Sequence, residues 1–327
     1  MLLTRRTALY GAAATLAMPS IGARAQSMAI RWGEMLAPSH PQVQMIDVIA
    51  KQAKEKTGGR VDIQSFPNGQ LGSGKDMMDA VASGALHLTT DGAAALGSFL
   101  PQLSVIEAPY LWRDAAHMAK VGMSDVFKAM NEDLVKKRGI RMLSVTYYGK
   151  RHITTGKKEV RSAADMKGFK LRVPPVDTFR AMAEAWGAQA TPINFNELYL
   201  ALSQGAVDGQ ENPLPTIASA KLNEVQKYLV LSGHIITPRI VVANEEFLKK
   251  LPAADRAALD DAIAAGAKWQ DAELSKQEGS LIDTLKTGGM TVIEPDLESF
   301  RKPVLAAVPP KFEDKWGKGT WDKLAAL

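Results

Sequence analysis

The chain contains no cysteine. That absence excludes disulfides, thiolate catalysis and cysteine-ligated metals, and it leaves an oxidising compartment acceptable. Histidine is scarce, and the residues at positions 40, 87, 117, 152 and 234 fall into no H-E-x-x-H or other ligand spacing. Only a metal site assembled from distant residues stays open. There is no G-x-S-x-G elbow and no dinucleotide G-x-G-x-x-G, so catalysis has no motif to rest on and no cofactor is called for. Basic residues are not clustered or interleaved with aromatics, which gives nucleic-acid binding little support. The sequence has neither an internal repeat nor a low-complexity linker.

What is present is a chain able to bury a large core. At 327 residues and 46% hydrophobic it divides most naturally into two domains. The net charge is +5, but Arg5, Arg6 and Arg24 lie in the first 25 residues, which carry no acid, so without them the charge is near +2. This opening segment has the pattern of a signal peptide. T4-R-R-T-A-L9 supplies charge, an apolar Ala/Leu-rich stretch follows, and A23-R-A25 places small residues before Gln26. The Arg-Arg pair resembles a twin-arginine export signal, although Ala8 stands where an aromatic is usual, so Sec export also fits. A permanent anchor is the alternative, and the run is short and Gly/Ala-rich for a membrane span. The expected location is the periplasm.

Read in order, residues 28–35 predict a strand, Ser39 an N-cap, and 43–56 a helix with Val43, Ile46, Ile49, Ala50 and Ala53 on one face. A strand at 61–66, a helix at 75–83 and a strand at 86–90 complete a β-α-β-α-β rhythm ending at Asp91-Gly92. Residues 99–112 are apolar and broken by two prolines; 114–138 predict one long helix. A strong strand at 140–148 continues past Gly149 to 155, a candidate crossing between lobes. Strands are expected at 225–231 and 235–243, and a helix at 253–287, roughly 50 Å long, that bridges both lobes or breaks at Gly266. A last strand at 291–293 and a mainly helical tail at 296–326 follow.

G69-Q-L-G-S-G-K-D76 comes within one residue of a phosphate-binding loop, but Asp76 supplies no hydroxyl for magnesium and would repel a phosphate. A glycine-permitted turn and helix start is the better account. The stretch from Lys167 to Pro215 is more informative. K170-L-R-V-P ends at Pro174, which cannot continue a ladder, so Arg172 should emerge near the rim of a sheet. Its planar guanidinium fork matches a carboxylate, unless it serves a structural salt bridge. Arg151, just past Tyr147-Tyr148, is a second candidate. Gln210-Glu211-Asn212 arrives behind Gly209, and Asn212 offers an amide hydrogen bond or caps the turn before Pro213. Phe195 and Trp186 are more often core than pocket wall. Asp91 could accept ligand hydroxyls or cap the next turn.

F66-P-N-G-Q-L-G72, Y148-G-K-R151, D165-M-K-G-F-K-L-R172-V-P and above all P192-I-N-F-N-E-L-Y-L-A-L-S-Q-G-A-V-D-G-Q-E-N-P213 carry a resemblance over essentially the whole mature chain. It resembles the DctP-type periplasmic solute-binding subunits of tripartite ATP-independent periplasmic (TRAP) transporters. The resemblance implies an α/β two-lobe periplasmic binding protein fold, each lobe a mixed sheet flanked by helices, with a long helix spanning both. It implies a monomeric receptor, not an enzyme, that closes over an organic acid and delivers it to small and large membrane permease subunits driven by a sodium or proton gradient. Arg172 then pairs with the ligand carboxylate, Asn212 assists, Arg151 is the arginine after the turn, and Phe195 lies against the ligand; Met35, His40 and Asp91 are the candidates from the N-terminal lobe. Residues 26–149 plus 238–277 are expected to form one lobe and 150–237 plus 278–327 the other, hinged near 149 and 237. His40, Asp91 and Gln210 favour a hydroxylated acid such as a uronate or aldonate over a C4-dicarboxylate, because Asp91 would repel a second carboxylate. A ligand-sensing partner of a signalling receptor and, more remotely, an exported enzyme acting on an organic acid are the rival classes.

Overall fold

The computed structural model describes residues 27–327, so the expected signal peptide lies outside the described residues. The chain opens with β1 (Met28–Gly33), α1 (Pro41–Thr57), β2 (Val61–Phe66), α2 (Gly74–Ser83), β3 (Leu88–Gly92) and the short α3 (Ala93–Leu96). β1 pairs in parallel with both β2 and β3, the arrangement the β-α-β-α-β rhythm predicts. The N-cap of α1 is His40 rather than Ser39. Its Nδ1 accepts the Gln42 backbone N–H, and Pro41 takes the first helical position, where a missing N–H costs nothing. The G69–D76 stretch is a turn and helix start, closed by a reciprocal capping box between Ser73 and Asp76.

The expected helix over 114–138 is broken into α4 (Ala115–Ala119), a 3-10 turn at Lys120–Met123 and α5 (Asp125–Arg138). Ser124 adopts an extended conformation and caps α5 through its hydroxyl, a local hydrogen bond that outcompetes continuation of the helix. After it come β4 (Ile140–Thr155), β5 (Lys170–Val173), α6 (Asp177–Ala185), β6 (Gln189–Pro192), α7 (Phe195–Ser203), β7 (Gly209–Pro213) and α8 (Leu214–Ser219). The two strands expected at 225–231 and 235–243 are one, β8 (Tyr228–Asn244), because β4 offers a continuous partner that absorbs a register shift opposite Gly233. α9 (Glu245–Lys250), α10 (Ala253–Thr287), β9 (Thr291–Ile293), α11 (Leu297–Trp316) and α12 (Thr320–Ala325) complete the chain.

The sheet runs β2-β1-β3-β8-β4-β7-β5-β6, with β9 beside β8. Its architecture follows from the length of β4 and β8. One half of this antiparallel pair carries β3, β1 and β2 through residues 239–243; the other carries β7, β5 and β6 through 151–155 and β9 through 228–230. Helices cover both ends, giving a two-lobe α/β fold. Between the halves the register slips at Tyr147/Gly149, where Gly149 has φ +119°, a conformation closed to ordinary side chains.

α10 runs unbroken past Gly266 and straps this slip. Asp271 accepts the Tyr147 N–H (2.7 Å), Gln270 donates to the Tyr147 carbonyl (2.9 Å), and Glu278 accepts both the Tyr147 hydroxyl and the Lys150 N–H. Gly266 is needed because α1 lies against the helix there: an added Cβ would stand 2.3 Å from Ile49 Cγ1. Gly266→Ala is therefore expected to destabilise the protein by about 1–3 kcal/mol through overpacking, outweighing the ~1 kcal/mol that Ala gains over Gly in a helix. In an Ile49→Ala background the same change should become neutral or stabilising. Thermal and urea unfolding of the four variants read the sign directly.

Candidate functional site

A cleft of about 1050 Å³ lies between the two halves of the sheet, and Met35, Asp91, Arg151, Arg172, Phe195 and Asn212 all line it. Arg172 sits on β5, two residues before the proline that halts the strand, and is 2% exposed. Its Nε–H donates to the Ile193 carbonyl (2.9 Å); the two terminal nitrogens have no hydrogen-bond partner among the described residues. Burial pulls this guanidinium down to a pKa of about 10, with Glu211 supporting its charge and Arg151 opposing it. A buried guanidinium fork facing a cleft without a counter-ion has the geometry to take a carboxylate.

Arg151, on the neighbouring half of β4, is held differently. Its Nε and Nη2 grip the Glu211 carboxylate, and Nη2 also donates to the Glu211 carbonyl (2.7 Å) and to Asn212 Oδ1 (3.1 Å). The Phe179 ring lies 5.1 Å from the guanidinium carbon. Burial weighs against the Arg151 charge, but Glu211 outweighs it and raises the pKa. Behind this pair Ser232 Oγ meets His234 Nδ1 (2.8 Å) and His234 Nε2 meets Glu211 Oε2 (3.0 Å). With Nδ1 accepting from the serine, Nε2–H donates to the carboxylate. Burial opposes the Glu211 charge, but Arg151 and this hydrogen bond hold its carboxyl below the usual range. The order resembles a nucleophile relay, yet Ser232 and His234 are buried and neither lines the cleft, so a substrate has no path to the hydroxyl.

Two expected site residues stand behind the wall instead of on it. Gln210 is fully buried and does not line the cleft: it shares a face of β7 with Asn212, two residues on, but its amide is engaged, donating to Thr154 Oγ1 (2.9 Å) and accepting from Asn212 Nδ2. It fixes the Asn212 amide, whose Oδ1 is already turned to Arg151. His40 is spent on capping α1 and on a 3.3 Å contact with Thr216 Oγ1, and its ring stacks 5.3 Å from Tyr148. Burial, aided by Arg239, lowers its pKa to about 3, so it stays neutral. Trp186 is core, donating to the Phe300 carbonyl, whereas Phe195 lines the cleft.

The sequence reading missed Arg239, Tyr148 and Glu107 on the wall and Glu34 behind it. Arg239 donates to Glu34 Oε1 (3.0 Å) and the Thr90 carbonyl (2.6 Å), and its guanidinium carbon lies 4.9 Å from the Tyr148 ring. Asp91 Oδ1 accepts the Gly92 N–H; burial pushes its carboxyl up against the pull of Arg239. Burial pushes Glu107 up to about 7, with Arg151 opposing. The available signal was a charge isolated in an apolar run: Glu107 in F99–W112, Arg239 in I235–A243. Among the described residues no group is placed to hold a metal ion, and no helix is long and apolar enough to cross a membrane.

The raised Glu107 pKa has a stability consequence. The folded state holds this proton up to about pH 7 and the unfolded state only to the ordinary carboxyl value of 4.5, so the contribution is fully present below 4.5 and lost as pH rises through 7. Glu107→Gln should therefore match wild type in melting temperature near pH 4.5 and exceed it by several degrees at pH 8, a cost on the order of 3 kcal/mol being removed. A difference that does not vary with pH would contradict the assignment.

A model of the bacterial extracellular solute-binding proteins, family 7 (DctP), matches residues 32–314. The sialic acid-binding periplasmic protein SiaP of Vibrio cholerae is 32% identical over 280 residues, which cover 86% of this chain and 87% of that protein. The C4-dicarboxylate-binding periplasmic protein DctP of Rhodobacter capsulatus is 29% identical, covering 89% of this chain and 87% of that one. Among solved structures, the sugar acid binding protein of Advenella mimigardefordensis in complex with galactonate superimposes with a TM-score of 0.88 at 27% identity, covering 92% of this chain and 97% of that one. With a family match over most of its length and the two-lobe fold of those receptors, the chain belongs to family 7 of the bacterial extracellular solute-binding proteins, the DctP-type periplasmic receptors of TRAP transport.

Proposed function

We propose that this chain is the extracytoplasmic receptor for a small hydroxylated monocarboxylate, a sugar acid of the uronate or aldonate type, which it hands to the small and large membrane subunits of a TRAP permease. The observation that carries the proposal is the unpartnered Arg172 fork, buried at 2% exposure on the cleft wall. A bidentate carboxylate supplies the missing counter-ion and two charge-assisted hydrogen bonds at once. Arg151 and Asn212 flank that position, with Arg151 already neutralised by Glu211 and so suited to donating from its remaining N–H groups without adding a second full charge. Phe195 and Met35 supply apolar walls. The related proteins named for sialic acid and galactonate support the sugar-acid choice; the relative named for C4-dicarboxylates keeps that class as the competitor to be tested.

In this proposal the chain acts as a monomer, exported by its first 25 residues, with lobes 26–149 plus 238–277 and 150–237 plus 278–327. The hinge is the register slip of β4 at Gly149 opposite Thr237, strapped by α10. Closure would bring the two walls onto the ligand, exclude water from the arginine–carboxylate pair and so tie affinity to the closed state. The role is binding and delivery, as in the relatives named as periplasmic binding proteins.

Arg172→Ala is expected to weaken ligand binding by about 2–5 kcal/mol, roughly 30-fold or more, and Arg172→Lys to weaken it too, because a point charge cannot reproduce the fork. The ligand-free Arg172→Ala protein should be at least as stable as wild type, since an uncompensated buried charge is removed. Lower stability with unchanged affinity, by calorimetry and thermal unfolding, would instead make Arg172 structural. The ligand itself is found by thermal-shift screening of unfolded-and-refolded protein against organic acids. A rise of several degrees with aldonates or uronates is the expected result, and selective response to succinate or malate would replace the sugar acid by a dicarboxylate.

A further inference from the structure

Glu107 is the one charged residue in the apolar stretch from Phe99 to Trp112. It ends a 3-10 helix, Pro101–Glu107, that is anchored twice over. Trp112 Nε1 donates to the Ile106 carbonyl (2.7 Å), and Trp316 of α11 donates to Ser104 Oγ (2.8 Å). From this fixed base the carboxylate reaches the first turn of α3, where Oε2 accepts the Ala94 N–H at 2.9 Å. Gly92 makes the approach possible, because a Cβ there would stand 2.4 Å from Oε2. Asp91 is built in the same way: Oδ1 accepts the Gly92 N–H (2.8 Å), and Gly74 leaves room for Oδ2, which a Cβ would meet at 2.6 Å.

Each carboxylate thus has one oxygen engaged by backbone. Glu107 Oε1 and Asp91 Oδ2 have no hydrogen-bond donor among the described residues. Neither residue forms an ion pair there, because the nearby guanidinium groups are already committed, Arg239 to Glu34 and Arg151 to Glu211. Both residues line the cleft, Glu107 with only 4% of its surface exposed. In the sheet, β3, which carries Asp91, is separated from β5, which carries Arg172, by β8, β4 and β7. Four strand spacings of about 4.8 Å separate the strand of Asp91 from that of the free fork, and Glu107 joins the Asp91 side through the Ala94 N–H that follows β3.

Resting on the sugar-acid reading, we propose that Glu107, with Asp91 beside it, is the specificity-determining acceptor of this cleft, taking hydroxyl hydrogens from the ligand's chain at the end remote from its carboxylate. Unsatisfied acceptors in a wall that closes against water demand donors. A hydroxyl supplies one; a second ligand carboxylate is acceptor-only and adds like charge. The site is therefore polarised, anion-seeking at Arg172 and hydroxyl-seeking at Glu107, and it selects hydroxylated monocarboxylates against dicarboxylates of similar length.

The test is Glu107→Gln in the mature protein, titrated calorimetrically with galactonate, erythronate and succinate at about pH 8, where the Glu107 carboxyl is ionised. The amide is nearly isosteric, and the Ala94 N–H claims its oxygen, so its NH₂ donors face the cleft and the acceptor becomes a donor. Relative to wild type, the affinity ratio of the better aldonate to succinate should fall about tenfold or more, with succinate binding unchanged or tighter. A change in that ratio smaller than threefold overturns the role of Glu107 and leaves Arg172 and the ligand class standing. A wild-type protein that binds succinate more tightly than both aldonates, or binds none of the three, overturns the inference together with the sugar-acid reading. Asp91→Asn, whose Oδ1 is likewise claimed by Gly92, provides the second variant and should lower the same ratio in the same direction.

Discussion

A guanidinium held out of water without a counter-ion is the constraint around which this molecule is arranged. Arg172 gives up most of its hydration and receives one hydrogen bond partner, the Ile193 carbonyl. Such a group is costly in the empty protein and repays that cost only when an anion arrives. Proteins keep an unpaired buried charge where a ligand completes it, and the surrounding side chains here are disposed so that none of them does so first. Glu211, the obvious internal partner, is taken by Arg151 and fixed from behind by His234 and Ser232. The consequence is an anion site that the protein's own carboxylates cannot fill.

The fold holds this tension because the two walls share their framework. β4 and β8 pass through both lobes, so the walls are fixed in order along the sheet, and the proposed pivot falls where the β4 register slips at Gly149. α10 lies over that slip and ties it with three side chains, Gln270, Asp271 and Glu278. The polar groups of the two walls are held from behind by their own neighbours, Arg151 by Glu211 and Arg239 by Glu34.

Charge is divided unevenly across the cleft. Arg151, Arg172, Arg239, Asp91 and Glu107 line it with Glu34 and Glu211 behind, and pairing among these seven leaves one free fork and two free acceptor oxygens. Burial raises Asp91, Glu107 and Glu34, while the ion pair with Arg151 lowers Glu211, so carboxylates of the same chemistry are set to different tasks by their partners.

The sequence by itself determined the fold class, most of the element positions and two of the arginines that line the cleft. Hydrophobic period, glycine and proline punctuation and a distinctive run from Asp165 to Pro213 are local signals, and Arg172 and Arg151 stand inside them. It misplaced what depends on competition between neighbours. Ser39 and His40 are both able to cap α1, and only the packing of His40 against Tyr148 and Thr216 decides for the histidine. A serine in extended backbone splits the helix expected over 114–138, and a partner strand fuses two strands into β8. Gln210 and Asn212 differ by two residues yet divide between support and cleft according to hydrogen bonds with β4 that no spacing reveals. Glu107 and Arg239, far apart in sequence, face the same cavity only because β8 lies beside β3 and the 3-10 helix packs under α11. Which groups are left unpaired is a property of three-dimensional pairing, and on that property the chemistry of the cleft rests.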